Sequence, residues 1–508
     1  MKILYIYASD YTSILPQLSR FMYHRFICTL FSVLCFGLTS NAQEDSTRFF
    51  VETGGVAATS QHTPFWLRSN QFGSVPLSNP FVFVKTGAQA FIGTKPRKAQ
   101  LHLQGEIIAN VGRTSSIILP VASATFRHRQ FEAYVGRRKE FFGLGDTLLS
   151  SGSYAWSGNA LPIPKVHIGT RGFVSVPFTK DILAFHATFS HGWFGRQDSV
   201  RNYYLHQKSF HGRIGKPTWK VNFFLGLLHY VQWGGTPVHP IQGVLTDGKY
   251  PSSFKDYLYL TIAKSPEGTS YSEFETFNQI GNHLGSIDLA FSYKQSHWDV
   301  LLYHQHPYED KSGLAFTNFP DGLYGLRLKN AKANTGRGLH ISQVTLEYLT
   351  TLDKGNSMNP DLRNRYEPDP YFRHAQYTTD WTYNHFIIGT PFFTRYFDMN
   401  PALIAPAYVN KLTRGYYVAN NSVELFHAGL EGTIGQVTRF STRISYSHNF
   451  PEYFKDVFAK ANQFSYLATF IFPWKKYGFE TKATIAFDYG QLFDKNLGMM
   501  FSVKKKLF

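Results

Sequence analysis

Leu101-His102-Leu103-Gln104-Gly105-Glu106-Ile107-Ile108-Ala109-Asn110-Val111 is the stretch that decides the fold. In an extended chain successive side chains point to opposite faces. Leu101, Leu103, Ile107, Ala109 and Val111 then share one face, and His102, Gln104, Glu106 and Asn110 share the other. A segment of about ten residues with this two-faced character is the repeating unit of a membrane β-barrel, whose outside meets lipid and whose inside is polar.

The same alternation recurs at residues 182–194, 219–230, 284–293, 298–306, 340–349, 422–434, 437–448, 464–472, 477–489 and 497–508. So many strands exceed a small sandwich. With a mature chain of 43–508 and roughly 25 residues per strand and connection, an all-β, antiparallel transmembrane barrel of about 16–18 strands with long extracellular loops is expected. Beyond residue 42 no apolar run is long enough for a membrane-spanning helix, which leaves a closed barrel as the spanning solution.

Connection lengths test that reading, because periplasmic turns are short and extracellular loops long. Counting back from Phe508 at the periplasm, 490–495 and 449–462 become outer connections, while 473–476 and Gly435-Gln436 become periplasmic turns. Farther back, 294–297 and 331–338 are periplasmic, which puts 233–283, 307–321 and 350–421 outside. Residues 381–389 break the parity as a lone strand: they either pair within 391–421 or are not a membrane strand. At the carboxy end, Lys504 and Lys506 share the face of Phe508, where a lipid-facing stripe would carry apolar residues.

At the amino end, Tyr23-His24-Arg25, the apolar run 26–38 and Ser40-Asn41-Ala42 form a secretory signal peptide over 1–42. The pattern is complete from Met22, which offers a second native start. Both cysteines, Cys28 and Cys35, lie inside it, so the mature chain has no disulfide framework or thiol nucleophile.

The 508 residues are 17% aromatic, with 31 Tyr and 47 Phe, yet mean hydropathy is slightly negative at −0.23. The formal charge is +17, and the signal contributes little to it. A basic exported chain meets anionic lipid headgroups or acidic glycans rather than nucleic acid. Outer-membrane lipid and the barrel-insertion machinery are the expected general partners.

Catalytic signatures are scarce. No Gly-x-Ser-x-Gly elbow, zinc-protease helix or complete phosphate loop occurs, so neither an enzyme nor a cofactor is expected. His304 and His306 share a strand face near Glu309 and Asp310, a weak metal pattern against which polar lining is the simpler reading. The outer segments crowd aromatic and charged residues. Trp233, Tyr371, Trp381 and Tyr383 offer rings for sugar faces, and Arg363, Arg365 and Arg373 offer guanidinium groups for acidic sugars. An aromatic girdle plus loop packing explains the same rings.

Four short blocks occur in order: Ser157-Gly-Asn159-Ala160-Leu-Pro162-Ile-Pro164; His191-Gly-Trp-Phe194 with Leu205-His206-Gln-Lys208; Gln232-Trp233-Gly234-Gly235; and Trp381-Thr-Tyr383 with Ile388-Gly389-Thr-Pro391. With these blocks the chain resembles the Wzi-type capsule-assembly proteins of the bacterial outer membrane. The resemblance implies a large non-catalytic barrel that binds exported capsular polysaccharide and assists capsule assembly or attachment. It also implies a periplasmic helical bundle, for which the amino-terminal sequence shows no amphipathic pattern. Two other classes stand beside it: a diffusion porin or other surface-glycan protein, and an outer-membrane hydrolase. Bulky residues on both strand faces favour a plugged interior over a porin's open one.

Overall fold

The computed structural model describes residues 47–93, 99–197, 199–239, 245, 248–268, 271–332, 336, 338–355, 369–405, 417–451 and 458–507. The signal pattern, Arg363, Arg365 and Phe508 lie outside them.

Eighteen antiparallel strands close into one barrel. They are β1 (Thr47–Ala58), β2 (Phe81–Ile92), β3 (Gln100–Gly112), β4 (Ser116–His128), β5 (Phe131–Arg137), β6 (Lys165–Thr170), β7 (Leu183–Arg196), β8 (Val200–Ile214) and β9 (Val221–Trp233). There follow β10 (Asn282–Lys294), β11 (Trp298–Tyr308), β12 (Gly322–Asn330), β13 (Leu339–Thr350), β14 (Ser422–Ile434), β15 (Thr438–Phe450), β16 (Ala461–Trp474), β17 (Phe479–Gly490) and β18 (Asn496–Lys506). Each pairs with its sequence neighbour, and β1 pairs with β18 from Phe50↔Lys506 to Ala58↔Gly498, which leaves no free edge.

The alternation in β3 takes the predicted faces: Leu103 and Val111 are exposed on the outer wall, whereas His102 and Asn110 are buried inside. In β18 the outward set is Leu497, Met499 and Phe501, and Asn496 and Ser502 point inward. This corrects the lysine assignment. Lys504 follows the inward set and lies over the Phe50 ring at 4.2 Å, so it is a lumen residue and not a lipid-facing one. Exposed apolar side chains such as Val84, Ile117, Phe210, Leu225, Leu302 and Phe426 recur around the outer wall. In water such a belt would be untenable; in a bilayer it is the required surface. The molecule is built for the bacterial outer membrane.

The longest connections, at 59–80, 138–164, 234–281, 309–321 and 351–421, leave from one rim, and the opposite rim carries mostly short ones such as 129–130, 295–297 and 435–437, with 171–182 the longest there. The long-loop rim is the extracellular one. Residues 381–389 are not a membrane strand: Thr382–Tyr383 pairs with Phe386–Ile387 in a separate two-stranded ribbon, and the parity conflict disappears.

Candidate functional site

Barrels of this strand number leave an aqueous channel unless something fills them. Here three extracellular segments turn inward and do so. The short helix Phe65–Arg68 puts Phe65, Trp66 and Leu67 in the core; segment 138–164 adds Leu149, Tyr154 and Trp156; segment 369–405 adds Phe372, Trp381 and Phe393. Tyr154 packs against Phe372 at 5.2 Å, Trp156 against Tyr230 at 5.3 Å, and Trp66 against Phe392 at 5.8 Å between ring centres.

A loop taken into a barrel must find partners for its backbone. The wall supplies them from inward-facing polar side chains. Asp488 accepts from the Phe65 amide at 2.8 Å, Asp288 from the Leu144 amide at 2.7 Å, and Glu347 from the Ser151 amide at 2.6 Å. Gln305 accepts from the Tyr154 amide at 2.8 Å, the Trp66 indole donates to Ser445 at 3.1 Å, and the His427 ring meets the Leu149 carbonyl at 2.7 Å. The polar face of each strand is thus a row of sockets for the plug.

Each of the four sequence blocks sends side chains into this plug. Ser157 donates to the Gly389 carbonyl at 2.7 Å, Asn159 to the Ile387 carbonyl at 2.9 Å, and the Trp381 indole to the Ala155 carbonyl at 2.8 Å. Gln232 reaches the Asp380 carbonyl at 3.2 Å, and Phe194 lies edge-on to Trp381 and Tyr383 at 6.3 and 5.8 Å. Gly389 has to be glycine: a Cβ there would sit 2.3 Å from both the Tyr154 carbonyl and the Phe372 ring.

These contacts place the residues nominated as sugar ligands. Trp381 and Tyr371 are 0% exposed, and Tyr383, Trp233 and Arg373 are buried. Exposure, the premise for stacking on a polymer, therefore fails for all five. Aromatic content marks a ring as valuable to bury as readily as to display. Trp233 is distinct in position. It faces outward on β9 and is covered by the helix Phe254–Thr261, whose Tyr257 ring lies 5.2 Å away. That helix is held by a Ser253–Asp256 capping box and lies on the outside of the wall, with Tyr257 also meeting His206 at 3.1 Å. His304 and His306 likewise face outward. They are separately occupied, His304 stacked on Tyr324 at 4.1 Å and His306 on Phe316 at 4.4 Å. Among the described residues no group of three His, Cys, Asp or Glu is placed to hold a metal.

Above the plug lies a layer of buried charge. Tyr371 donates to Asp321 at 2.7 Å, Asn318 donates to Tyr371 at 2.9 Å, and the Lys354 ammonium donates to Asn421 at 2.6 Å. Burial pushes the Glu309 carboxyl up to about 8 and Asp380 up to about 7, and it lowers the Lys354 ammonium to about 7. These groups are structural clasps between outer segments.

Several rings of the outer segments are displayed, Phe277 and Phe319 among them, and the one set among charged and aromatic neighbours, Phe397, was missed by the sequence reading. Phe397 is 53% exposed, with Tyr417 edge-on at 5.2 Å and the Arg395 guanidinium 5.9 Å from its ring centre. Arg395 is in turn held by Asp398 at 2.9 Å. A ring fixed by neighbours and edged by a guanidinium–carboxylate pair is a rigid amphipathic contact. No motif marks it; the signal was only an aromatic pair, Tyr396-Phe397, in a polar loop.

An eighteen-stranded barrel with a lipid-facing belt, whose lumen is filled by its own outer segments, defines an outer-membrane protein of occluded type. Among solved structures the chain is similar to Escherichia coli Wzi, described as an outer-membrane protein involved in group 1 capsule assembly and a carbohydrate-binding β-barrel. The TM-score is 0.56 at 15% identity, over 90% of this chain and 83% of that one. Pseudomonas aeruginosa OccK5 (OpdH) aligns with a TM-score of 0.43 at 9% identity, over 91% and 98%. At such identities the likeness is one of fold. No protein-family profile matches the chain, and no curated sequence does.

Proposed function

We propose that this protein is a non-catalytic outer-membrane barrel that binds exported capsular polysaccharide at the cell surface and assists its assembly or attachment. The observation that carries the reading is the filled lumen: with aromatic segments socketed into the wall, the extracellular face is a floor and not a pore. The fold it shares with a carbohydrate-binding barrel supports the same reading. In this proposal Phe397 is a direct sugar contact, and Arg363 and Arg365 add cationic contacts for an acidic polymer. Trp233, Tyr371, Arg373, Trp381 and Tyr383 serve the surface indirectly, by fixing the segments that form it.

The test is saturable binding of the refolded barrel to the host's capsular polysaccharide across a salt series. Wild type is expected to bind, and Phe397→Ala to weaken binding about two- to tenfold, the worth of ~0.5–1.5 kcal/mol for one ring face. Absence of binding at low salt, together with steady conductance in planar bilayers, would replace this reading with that of a porin.

A further inference from the structure

The plug that closes the lumen leaves one space open beneath it. Beneath the plug, on the side of the barrel formed by β3–β8, lies a cavity of about 800 Å³ roofed by Phe141, Phe142 and Leu144. Its mouth is at the periplasmic rim, where Arg127 near the end of β4 and Arg171 and Phe173 in the β6–β7 connection line it. The volume falls within the range of about 300–1,000 Å³ typical of small-ligand pockets.

The lining is unusual for a structural void. Glu132 is paired with Arg138 at 2.6 Å, Glu140 with Arg138 at 2.8 Å and Lys165 at 2.7 Å, and Glu106 with Lys139 at 2.6 Å. Each carboxylate is thus already neutralised. Arg171 has no carboxylate partner among the described residues, so the mouth is left with a spare positive charge. His102 and His211 line the cavity at 5% exposure each, and neither ring nitrogen of either has a hydrogen-bond partner among the described residues.

Buried polar groups without partners are rare and costly, and two complete imidazoles in one cavity need an explanation. Both rings are seated with care. His102 stacks flat on Phe91, 4.1 Å between centres and 5° between planes. His211 stands opposite Gly226 on β9, where a Cβ would come within 2.5 Å of the imidazole. The wall keeps a glycine where any other residue would displace the ring.

We propose that this vestibule is a second binding site, open to the periplasm, which takes a short stretch of acidic saccharide. Imidazoles and paired guanidinium–carboxylate groups offer donors and acceptors to sugar hydroxyls, Phe141 and Phe173 offer ring faces, and Arg171 offers the charge for a sugar carboxylate. The choice of a saccharide rests on the function proposed above, and it adds a periplasmic contact for the same polymer before it reaches the surface.

The test uses the full barrel refolded in nanodiscs and titrated with trigalacturonic acid, with maltotriose as the uncharged comparison. Wild type is expected to bind trigalacturonate saturably and maltotriose at least about tenfold more weakly. Arg171→Glu, at an exposed position that the fold does not depend on, and His211→Phe, which keeps a ring against Gly226, are each expected to weaken trigalacturonate binding by about tenfold or more. Equal affinity of wild type, Arg171→Glu and His211→Phe, or equal affinity for maltotriose, would overturn the proposal. A flat titration alongside intact binding of the long polymer to the outer face removes the vestibule alone. A titration sensitive to Arg171→Glu and His211→Phe without any binding of the polymer keeps the vestibule and removes the surface reading.

Discussion

Trp381 shows how a single residue carries the occluded state. Its indole is wholly buried, donates to the Ala155 carbonyl at 2.8 Å and packs near Trp156, Phe194 and Tyr230. Trp381→Ala removes both the ring and the bond in a site walled by other rings, and is expected to destabilise the plug by ~3–5 kcal/mol. Trp381→Phe keeps most of the volume and strands the carbonyl, at a cost of about 1–3 kcal/mol. Urea titration followed by tryptophan fluorescence should rank the three proteins in that order; a silent Trp381→Ala would mean that the plug is not held here. Gly389 makes the opposite case, since added volume has nowhere to go. Gly389→Ala would press a methyl against the Tyr154 carbonyl and the Phe372 ring, and is expected to cost about 1–3 kcal/mol.

Among the elements, the outer segments differ from the strands in how they are held. Strands are held by ladders that do not depend on pH, whereas segments 309–321, 351–355 and 369–405 meet through buried titratable groups. Asp380 and Glu309 bind their protons more tightly when folded, at about 7 and about 8, than an exposed carboxyl does. Their contribution is therefore complete below the ordinary carboxylate range and is lost as pH rises through 7 to 8. Lys354 acts in the opposite sense, but only above about 7, where the folded amine is neutral and an unfolded one is still charged. Between about pH 5 and pH 7 the four buried carboxyls Asp380, Glu309, Asp321 and Asp369, all raised, outweigh the His374 ring, which burial lowers to about 3 and which acts in the opposite sense up to 6.5, so the layer should loosen as pH rises across that interval. Proteolysis within 309–321 and 369–405, normalised to an unfolded substrate at each pH, is expected to be faster at the upper end while the strands stay intact. Equal or slower nicking would contradict the assignment.

For the molecule as a whole, the barrel was legible in the sequence to a much greater extent than its site. Alternation located strands such as β3, β10 and β18 because one face meets lipid and the other polar plug, and the parity of loop lengths set the sidedness. Of the strands that escaped, β1, β2, β4, β5, β6, β8 and β12, three had plainly lost that contrast. β5 and β6 are only seven and six residues long, and β8 has bulky residues on both faces because the helix Phe254–Thr261 covers part of its outside. The aromatic residues in the outer segments were visible, but whether a ring faces solvent or folds into the lumen is decided by contacts hundreds of residues apart, as between Trp66 and Ser445 or Tyr154 and Gln305. Those contacts also define the functional consequence of the fold. A wall of this circumference is wide enough for a channel, and the plug removes it. In planar bilayers the intact protein is expected to show no steady porin-like conductance, and replacing residues 141–158 with a short Gly-Ser linker is expected to produce one, because that segment supplies the Leu144, Ser151 and Tyr154 amides that the wall receives. Glu347→Ala, which releases two of the plug's hydrogen bonds, should give intermediate flickering openings. Steady conductance from the intact barrel, equal to that of the linker variant, would mean that the lumen conducts with its plug in place and that occlusion is not what the inward segments are for.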